Sequence, residues 1–334
     1  MTLKIGINGL GRIGRMIVRS IVENDDKNIE IKHINNRTDL KNISHLLKYD
    51  SLHGKLNAEI KFNDKNLIIN NKKIHYSRET EINKIKWKKN NVDIVLECTG
   101  KYNSKEKAIQ HIKNGARKVI VSAPCKNADK TIVYGVNHKI INKKDLVISA
   151  ASCTTNCLAP IAKVLNDEFK IEKGFMTTIH SYTTDQRLLD NSHKDQRRAR
   201  SAAQSIIPTS TGASKALGEI IPELKGKIEG LALRVPTPNV SLVDLVFNSK
   251  KKLSINRINS SFTKYSEKKL KNILQATEEK LVSIDFNHNS NSAIVDLSLT
   301  NVVGEKMGKV SAWYDNEWGF ACRMCDLAQY IHKI

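Results

Sequence analysis

A cysteine and a histidine are the two side chains of this sequence best suited to covalent chemistry. Cys153 follows a strand-like apolar run, residues 146–150, and precedes apolar residues at helical spacing that start at Leu158. This order predicts that Cys153 lies in the first turn of a helix, where unpaired backbone N–H groups and the helix dipole lower a thiol pKa. His180, which ends a second strand-like run, 174–180, is the candidate base. The alternative is a buried, unreactive thiol, as for most cysteines.

A glycine pattern near the N-terminus predicts a dinucleotide-binding turn. A short buried strand, residues 3–8, is followed by Gly9, Gly11 and Gly14 in G-x-G-x-x-G spacing, and a helical pattern continues from Met16. The glycines allow a tight turn, close approach of the backbone to a pyrophosphate, and close packing of the helix on the strand.

The residue at the end of the next strand bears on the choice of cofactor. Residues 29–35 form the predicted strand, and an acidic residue commonly follows it in NAD-binding folds to bind the ribose 2′-hydroxyl. Asn36 stands there instead and is followed by Arg37. An uncharged residue next to a guanidinium favours NADP, or both cofactors. The alternative is that Asn36 still binds the ribose and Arg37 is solvated.

The remaining patterns divide the chain into an α/β part and an α+β part. Parallel strands predicted at 92–100 and 118–124 complete a Rossmann-type dinucleotide-binding domain over residues 1–152. A catalytic domain with a mostly antiparallel sheet is predicted for 153–317, and a C-terminal helix at about 318–334 is expected to dock back on the first domain. The strands predicted for the catalytic domain are 174–180, 230–234, 240–247, 281–284, 292–299 and 309–314.

Composition limits the other classes of function. The net charge of +21 suits anionic metabolites or nucleic acid, which makes a nucleic-acid-binding protein a remote alternative. The lysines are scattered, however, and aromatic residues make up only 5% of the chain, so we expect a solvated basic surface and no specific nucleic acid. The six cysteines predict neither a metal site nor a disulfide framework. No signal peptide and no apolar run of about 20 residues is evident, so a cytoplasmic protein without a membrane partner is expected.

Several segments together resemble the phosphorylating glyceraldehyde-3-phosphate dehydrogenase family. The resemblance extends in order over nearly the whole chain. The segments that carry it are INGLGRIGR (7–15), ASCTTNCLAP (151–160), HSYT (180–183), PTSTGA (208–213), RVPTPNV (234–240) and WYDNEW (313–318).

The resemblance implies a reaction and roles for individual residues. Cys153 attacks the aldehyde of glyceraldehyde 3-phosphate, and His180 accepts the proton. Hydride passes to NAD or NADP, and inorganic phosphate releases the thioester as 1,3-bisphosphoglycerate. The residues implied as ligands of the substrate and phosphate groups are Ser152, Thr154, Thr183, Arg198, Thr211, Gly212 and Arg234. Those implied at the cofactor, with the three glycines, are Arg12, Ile13, Asn36, Arg37, Arg78, Thr99, Ser122, Ser192 and Asn316.

Two departures from the family pattern favour NADP. Asn36 replaces the usual acid, and Ser192 stands where strictly NAD-using members commonly have proline. In the family that loop reaches the cofactor of a neighbouring subunit, so a homotetramer is implied. The chain is similar to the NADP-accepting photosynthetic or gluconeogenic branch. Erythrose-4-phosphate dehydrogenase, which shares the fold, the cysteine and the histidine, is the alternative enzyme.

Overall fold

The computed structural model describes residues 2–334, which form two compact units. The first unit takes in the chain up to Tyr134 together with His138–Ser152 and Phe320–Ile334. The second comprises Gly135–Asn137 and Cys153–Gly319.

The first unit is built on a largely parallel sheet. Its strands are β1 (Leu3–Asn8), β2 (Ile29–Asn35), β3 (Tyr49–Asp50), β4 (Gly54–Lys55), β5 (Ile60–Asn63), β6 (Asn66–Ile69), β7 (Lys72–Ser77), β8 (Ile94–Glu97), β9 (Lys118–Val121), β10 (Lys130–Thr131) and β11 (Val147–Ser149). Among the described residues, all except β3 and β4 join one sheet in the order β10-β11-β9-β8-β1-β2-β7-β6-β5. The ladders from β10 to β7 are parallel, whereas β6 pairs antiparallel with both β5 and β7.

The strand order creates a crevice at the carboxyl ends of β1 and β8. The chain runs from β1 to β2 on one side and later returns to place β8 on the other side of β1. In open α/β sheets, ligands bind outside the carboxyl ends of the strands at such a switch point.

Helices follow the strands of the first unit. They are α1 (Arg12–Glu23), α2 (Leu40–Lys48), α3 (Lys105–Ala108) and α4 (Gln110–Lys113). Asp39 caps α2 by accepting a hydrogen bond from the Asn42 amide. The last helix of the chain, α8 (Trp318–Lys333), lies from Phe320 onward in this unit, where Cys322 lies 3.5 Å from the Ser20 hydroxyl.

The second unit contains the mostly antiparallel sheet that the pattern predicts. Its strands are β12 (Ile171–Ser181), β13 (Ile207–Ser210), β14 (Ile228–Val235), β15 (Ser241–Ser249), β16 (Leu274–Thr277), β17 (Ala293–Asp296), β18 (Asn301–Val303) and β19 (Met307–Tyr314). The order is β13-β14-β12-β15-β19-β17-β16, with β18 against β19. Two ladders of this sheet, β12 with β14 and β16 with β17, are parallel, and the others in the described chain are antiparallel.

One predicted strand segment of this unit is wrong, and a second is longer than the strand observed. Residues 281–284 do not form a strand; a 3₁₀ turn, Ser283–Phe286, begins there. The Asp285 carboxylate accepts from the Val282 amide at 2.8 Å, and the apolar side chains of Val282 and Ile284 are exposed. The strand predicted at 292–299 ends at Asp296, where another 3₁₀ turn follows. A side chain that bonds a nearby backbone N–H competes with the ladder of a sheet.

Three helices complete the second unit: α5 (Cys153–Phe169), α6 (Ala213–Ile220) and α7 (Ile255–Glu267). The apolar side chains of α5, such as Leu158, Ile161 and Leu165, are fully buried. Within residues 2–334, no helix has the length and apolar character needed to span a bilayer.

Candidate active site

Cys153 is the first residue of α5, as its sequence context predicts. The backbone before it is unusual, because Ala151 has φ of +58°, a region that non-glycine residues seldom adopt. Such conformations cost about 1–3 kcal/mol and cluster at functional sites. The turn directs the chain from β11 into the helix, so that the thiol lies where the first amides of α5 lack intrahelical acceptors.

His180 lies on β12 with its ring against the Cys153 thiol. The Sγ atom of Cys153 is 3.6 Å from Nε2 of His180. The other ring nitrogen, Nδ1, is 2.7 Å from the Ser181 carbonyl oxygen, which can only accept a hydrogen bond. Nη1 of Arg234, which can only donate, lies 3.0 Å from the same Nδ1. We assign the ring proton to Nδ1 on the shorter contact, that with Ser181, and this assignment leaves Nε2 as an acceptor towards the thiol.

The protonation states of this pair differ from the sequence-based expectation. Burial raises the pKa of the Cys153 thiol above its usual value, although the charge of Arg234 and hydrogen bonds from Thr154 act in the other direction. The predicted lowering of this pKa by the helix is therefore wrong for the site as a whole, because desolvation of a thiolate outweighs it. Burial, and next the charge of Arg234, lower the pKa of His180 to about 3. The site holds a thiol beside a neutral imidazole that can accept its proton.

Arg234 supplies a positive charge next to this pair. Its Nη1 group donates to the Ser181 carbonyl oxygen at 3.0 Å and to Oγ1 of Thr183 at 3.4 Å, and it lies 3.0 Å from Nδ1 of His180. Its Nε–H is buried and has no hydrogen-bond partner in the described chain. A charged donor that is buried without a partner is costly unless an anion binds it.

A second guanidinium, that of Arg198, lies within electrostatic range. Its charge contributes to the lowered pKa values of both His180 and Arg234. Arg198 is held by Oδ2 of Asp185 at 2.6 Å, by Oγ1 of Thr209 and by the Ser210 carbonyl oxygen. The Ser210 contact connects Arg198 to the segment that continues through Thr211 and Gly212 to the start of α6.

The other residues predicted to bind phosphate are less closely connected to the group formed by Cys153, His180 and Arg234. Thr211 accepts a hydrogen bond from the Ala213 amide, and Gly212 directly precedes α6, but no described contact connects either residue with Arg234. Ser152 directly precedes Cys153 in the chain. The structure thus brings Cys153, His180, Thr183 and Arg234 together.

Thr154 is fixed by a tyrosine that the sequence did not single out. Its hydroxyl lies 2.9 Å from the Tyr314 hydroxyl, which lies 2.8 Å from Oγ1 of Thr178. All three side chains are buried, and burial raises the pKa of Tyr314 well above its usual range. The phenol therefore stays protonated and ties the start of α5 to β12.

Asn316 is oriented by two serines. Its Oδ1 accepts from the Ser181 hydroxyl at 2.8 Å and from the Ser241 hydroxyl at 3.0 Å. Because the oxygen is occupied, Nδ2 is the end of this side chain that remains to donate, and no residue of the described chain accepts from it.

The first unit has a cavity of about 220 Å³ at the switch point. Residues at the carboxyl ends of three strands supply much of its lining. They are Asn8, Gly9 and Gly11 at the end of β1, residues 35–37 at the end of β2, and Thr99 beyond the end of β8. A Cβ atom on Gly14 would lie only 2.0 Å from the Gly9 carbonyl oxygen, so glycine is needed where α1 meets the turn. The first amides of a helix have no intrahelical acceptor, so the start of α1 favours an anion.

Asn36 and Arg37 lie in this cavity, but Arg78 does not line it. Oδ1 of Asn36 accepts from the Leu10 amide at 3.1 Å, and its Nδ2 donates to the Tyr76 hydroxyl at 3.2 Å. The Arg37 guanidinium is exposed and unpaired among residues 2–334. Arg78 donates from Nε to the Arg37 carbonyl oxygen and belongs to a neighbouring depression.

Four further predicted cofactor residues lie outside the cavity lining. Arg12 forms a two-point ion pair with Asp50, at 2.5 and 3.0 Å. Ser122 follows β9, where its amide donates to the Glu97 carbonyl oxygen. Ser192 lies in an exposed segment of the second unit, where its amide donates to the Asn191 side chain. Ile13 is in the first turn of α1.

Sequence reasoning missed the side chains that hold these groups in place. They have in common that they bond a site residue from a distant part of the chain, which no local pattern reveals. They are Asp50, Tyr76, Asp185, Ser241 and Tyr314.

Comparison with known proteins agrees with this geometry. Residues 3–105 match the family model described as glyceraldehyde 3-phosphate dehydrogenase, NAD binding domain, and residues 152–316 match the C-terminal domain of the same enzyme. The glyceraldehyde-3-phosphate dehydrogenase of Geobacillus stearothermophilus is 52% identical over 332 residues, which cover 99% of this chain and 98% of that protein. That of Priestia megaterium is 53% identical with the same coverage, and that of Cereibacter sphaeroides is 48% identical over 100% of both chains.

The fold and the matches define a dehydrogenase, an oxidoreductase with a nicotinamide-dinucleotide-binding domain and a separate catalytic domain. More narrowly, the chain belongs to the glyceraldehyde-3-phosphate dehydrogenase family. Membership supports the phosphorylating oxidation of glyceraldehyde 3-phosphate, a reaction of glycolysis, as its function.

Proposed function

We propose that this chain catalyses the reversible, phosphorylating oxidation of D-glyceraldehyde 3-phosphate to 1,3-bisphosphoglycerate. The observation that carries the proposal is the group formed by Cys153, His180 and Arg234. It combines a thiol, a neutral imidazole 3.6 Å away and a guanidinium with a buried, unpaired donor. A nucleophile, a base and an anion site are the three elements that an acyl transfer to phosphate needs.

Cys153 and His180 act together in the first half of the reaction. Sγ of Cys153 attacks the aldehyde carbon while Nε2 of His180 accepts the thiol proton. The Ser181 carbonyl oxygen stabilises the imidazolium, because it accepts the Nδ1 proton at 2.7 Å. His180 returns this proton to the former carbonyl oxygen, which gives the hydroxyl group of the thiohemiacetal. It takes the hydroxyl proton again as the hydride departs to the dinucleotide, and a thioester remains on Cys153.

Two guanidinium groups bind the phosphoryl groups of the substrate and of the attacking phosphate. Arg234 offers its unpaired Nε–H, and Arg198 is held in place by Asp185. Ser152, Thr154, Thr183, Thr211 and Gly212 supply hydroxyl and amide donors. Guanidinium forks match phosphate oxygens in geometry and charge, so these anions bind without a metal ion.

The first unit fits a nicotinamide dinucleotide. The close contact at Gly14 and the N-terminal end of α1, where Arg12 and Ile13 lie, suit a pyrophosphate. Thr99 and Asn36 line the cavity beside Gly9 and Gly11, and the open donor of Asn316 suits a carboxamide oxygen. The bound nicotinamide supplies the hydride acceptor. Residues 1–152 are the cofactor domain and 153–317 the catalytic domain.

Initial rates of dinucleotide reduction test the reaction. We expect a rate with glyceraldehyde 3-phosphate that requires inorganic phosphate, and a fall in kcat of about 10³-fold or more in Cys153→Ser. Cys157→Ser is the matched control, because that buried thiol lies one helical turn away, at the Ala312 carbonyl oxygen. A rate in Cys153→Ser close to that of the unaltered chain would remove the cysteine from its role. Faster, phosphate-independent turnover of erythrose 4-phosphate would favour the alternative enzyme.

The same proposal includes a preference for NADP over NAD. It is supported by the uncharged Asn36 and by the exposed, unpaired Arg37 guanidinium beside it, and Arg78 adds a second positive charge nearby. A 2′-phosphate would be repelled by an acid at position 36 and attracted by Arg37. Ser192 in place of proline agrees with the NADP-accepting branch.

The ratio of kcat/KM for NADP and NAD tests this preference. We expect NADP to be favoured by about tenfold, or about 1.4 kcal/mol. Asn36→Asp should reverse the order, and Arg37→Ala should lower kcat/KM for NADP alone. Arg117→Ala, which removes an exposed guanidinium elsewhere in the same unit, controls for net charge. A clear NAD preference of the unaltered chain would show that Asn36 serves the ribose hydroxyls.

We also propose a homotetramer in the cytoplasm. In the second unit, Leu188, Leu189 and Ile206 expose 66–77% of their surface near the segment that contains Ser192. Large apolar side chains exposed close together are typical of interfaces. Light scattering should give four times the chain mass, and Leu188→Ser with Leu189→Ser should lower it. A monomeric mass would contradict the proposal, and cell fractionation tests the location.

A further inference from the structure

A buried carboxylate lies beneath the cofactor cavity without a lysine or arginine partner in the described chain. Glu97 ends β8, is 1% exposed and does not line the cavity. In the part of the chain that the structure describes, neither lysine nor arginine pairs with it. Burial of a carboxylate costs several kcal/mol unless hydrogen bonds satisfy it.

Donors from three directions satisfy this carboxylate. Oε1 accepts from the amide and the hydroxyl of Thr99, at 2.7 and 2.5 Å. Oε2 accepts from Nδ2 of Asn8 at 2.6 Å and lies 2.9 Å from Nε2 of His111. Thr99 and Asn8 line the cavity, so Glu97 connects two of its walls.

His111 is held in one tautomer by a tryptophan. The Trp87 indole N–H lies 3.0 Å from Nδ1 of His111, and an indole nitrogen can only donate. Nδ1 is therefore the acceptor, and the ring proton lies on Nε2, where it is donated to Glu97. His111 and Trp87 are both fully buried, and neither touches the cavity.

We propose that His111 is a positioning residue for the dinucleotide, acting through Glu97 on Thr99 and Asn8. The proposal rests on the proposed function of the first unit as a cofactor domain. Its physical basis is the tight fit at the turn: a Cβ on Gly9 would come within 2.9 Å of Cγ2 of Thr99. If the Glu97 carboxylate loses the His111 donor, it rotates towards other donors. Thr99 is then displaced, because its amide and hydroxyl are bonded to the same carboxylate. Asn35 donates to Oδ1 of Asn8 at 2.9 Å, so a shift of Asn8 also displaces the end of β2.

Calorimetric titration of the full chain with NAD and NADP tests this role. We expect His111→Phe, which keeps a ring but removes the donor, to raise the Kd of the preferred dinucleotide about tenfold or more. Because the cysteine chemistry lies in the other unit, kcat at saturating cofactor should stay within about twofold. His111→Gln, whose Nε2 can still donate to Glu97, should restore most of the affinity. Trp87→Phe should weaken binding without any change at His111 itself.

Val147→Ala is the matched control for loss of stability. Val147 is buried in the same apolar cluster as Trp87 but forms no side-chain hydrogen bond. It should lower the Tm and leave Kd unchanged. If His111→Phe and Trp87→Phe change Kd no more than Val147→Ala does at a similar loss of Tm, the positioning role is refuted. If the unaltered chain binds neither dinucleotide, the proposed function of the first unit fails instead.

Discussion

The unpaired Nε–H of Arg234 provides the most direct test of the proposed anion site. Replacement of Arg234 by leucine removes one charge and every donor of the fork but keeps an apolar side chain of moderate size. A hydrogen bond to a charged group contributes about 1.5–3 kcal/mol. Loss of one such bond to a phosphate oxygen should therefore raise the KM for phosphate by about 10- to 150-fold.

Initial rates over a range of phosphate concentrations, at saturating aldehyde and dinucleotide, measure this change. Arg234→Lys keeps the charge but lacks the fork, so its KM should lie between those of the unaltered chain and the leucine variant. Arg197→Leu is the control, because Arg197 is exposed and lies in the same unit. In the described chain its side chain makes a single hydrogen bond, of 3.4 Å, to the Pro208 carbonyl oxygen. A KM for phosphate within about twofold of the unaltered value in Arg234→Leu would refute the reasoning.

The same variant has a second readout that does not depend on turnover. The charge of Arg234 lowers the pKa of Cys153, so its removal should raise that pKa further. Less thiolate is then present at pH 7, and alkylation of Cys153 by iodoacetamide should slow. Unchanged or faster alkylation would mean that Arg234 does not stabilise the thiolate.

Three further predictions concern His180, Gly14 and the response to acid. His180→Asn should lower kcat by about 10²- to 10⁴-fold, measured at saturating substrates, because no acceptor remains for the thiol proton. Gly14→Ala should destabilise the first unit by about 1–3 kcal/mol in urea unfolding and weaken dinucleotide binding, since its Cβ would overlap the Gly9 carbonyl oxygen. Burial lowers the pKa of His33 and of His180 to about 3, so the unfolded chain binds their protons first, and stability should fall as the pH drops from about 6.5 towards 3. A urea midpoint that stays constant over this range would contradict the acid prediction.

Local sequence patterns were sufficient to predict the turn and the helix that position the cofactor site and Cys153. The glycines at 9, 11 and 14 predict a turn between β1 and α1 because the contact of Gly14 with the Gly9 carbonyl oxygen involves only neighbouring backbone. The start of α5 at Cys153 was likewise predictable from an apolar strand followed by helical spacing. The strand predicted at 281–284 does not form because the Asp285 carboxylate accepts a hydrogen bond from the Val282 amide. A short apolar alternation does not reveal that a side chain competes with the sheet for this amide.

The protonation states and the supports of the site depended on the tertiary structure. The helix start alone predicts a lowered pKa for Cys153, whereas the structure shows that burial raises it. Asn36 was identified from its place after β2, but the bond from its Nδ2 to Tyr76, 40 residues later, was not predictable.

The sequence by itself determined the family, the order of the two domains and the identity of the reactive cysteine, because these depend on residue types and short-range spacing. Only the tertiary structure decided which charges surround that cysteine and which side chains support the cofactor cavity. Glu97, His111 and Trp87 illustrate the reason. Desolvation and hydrogen bonding are set by whatever packs around a group in space, and residues 87, 97 and 111 become neighbours only once the sheet and its helices have assembled.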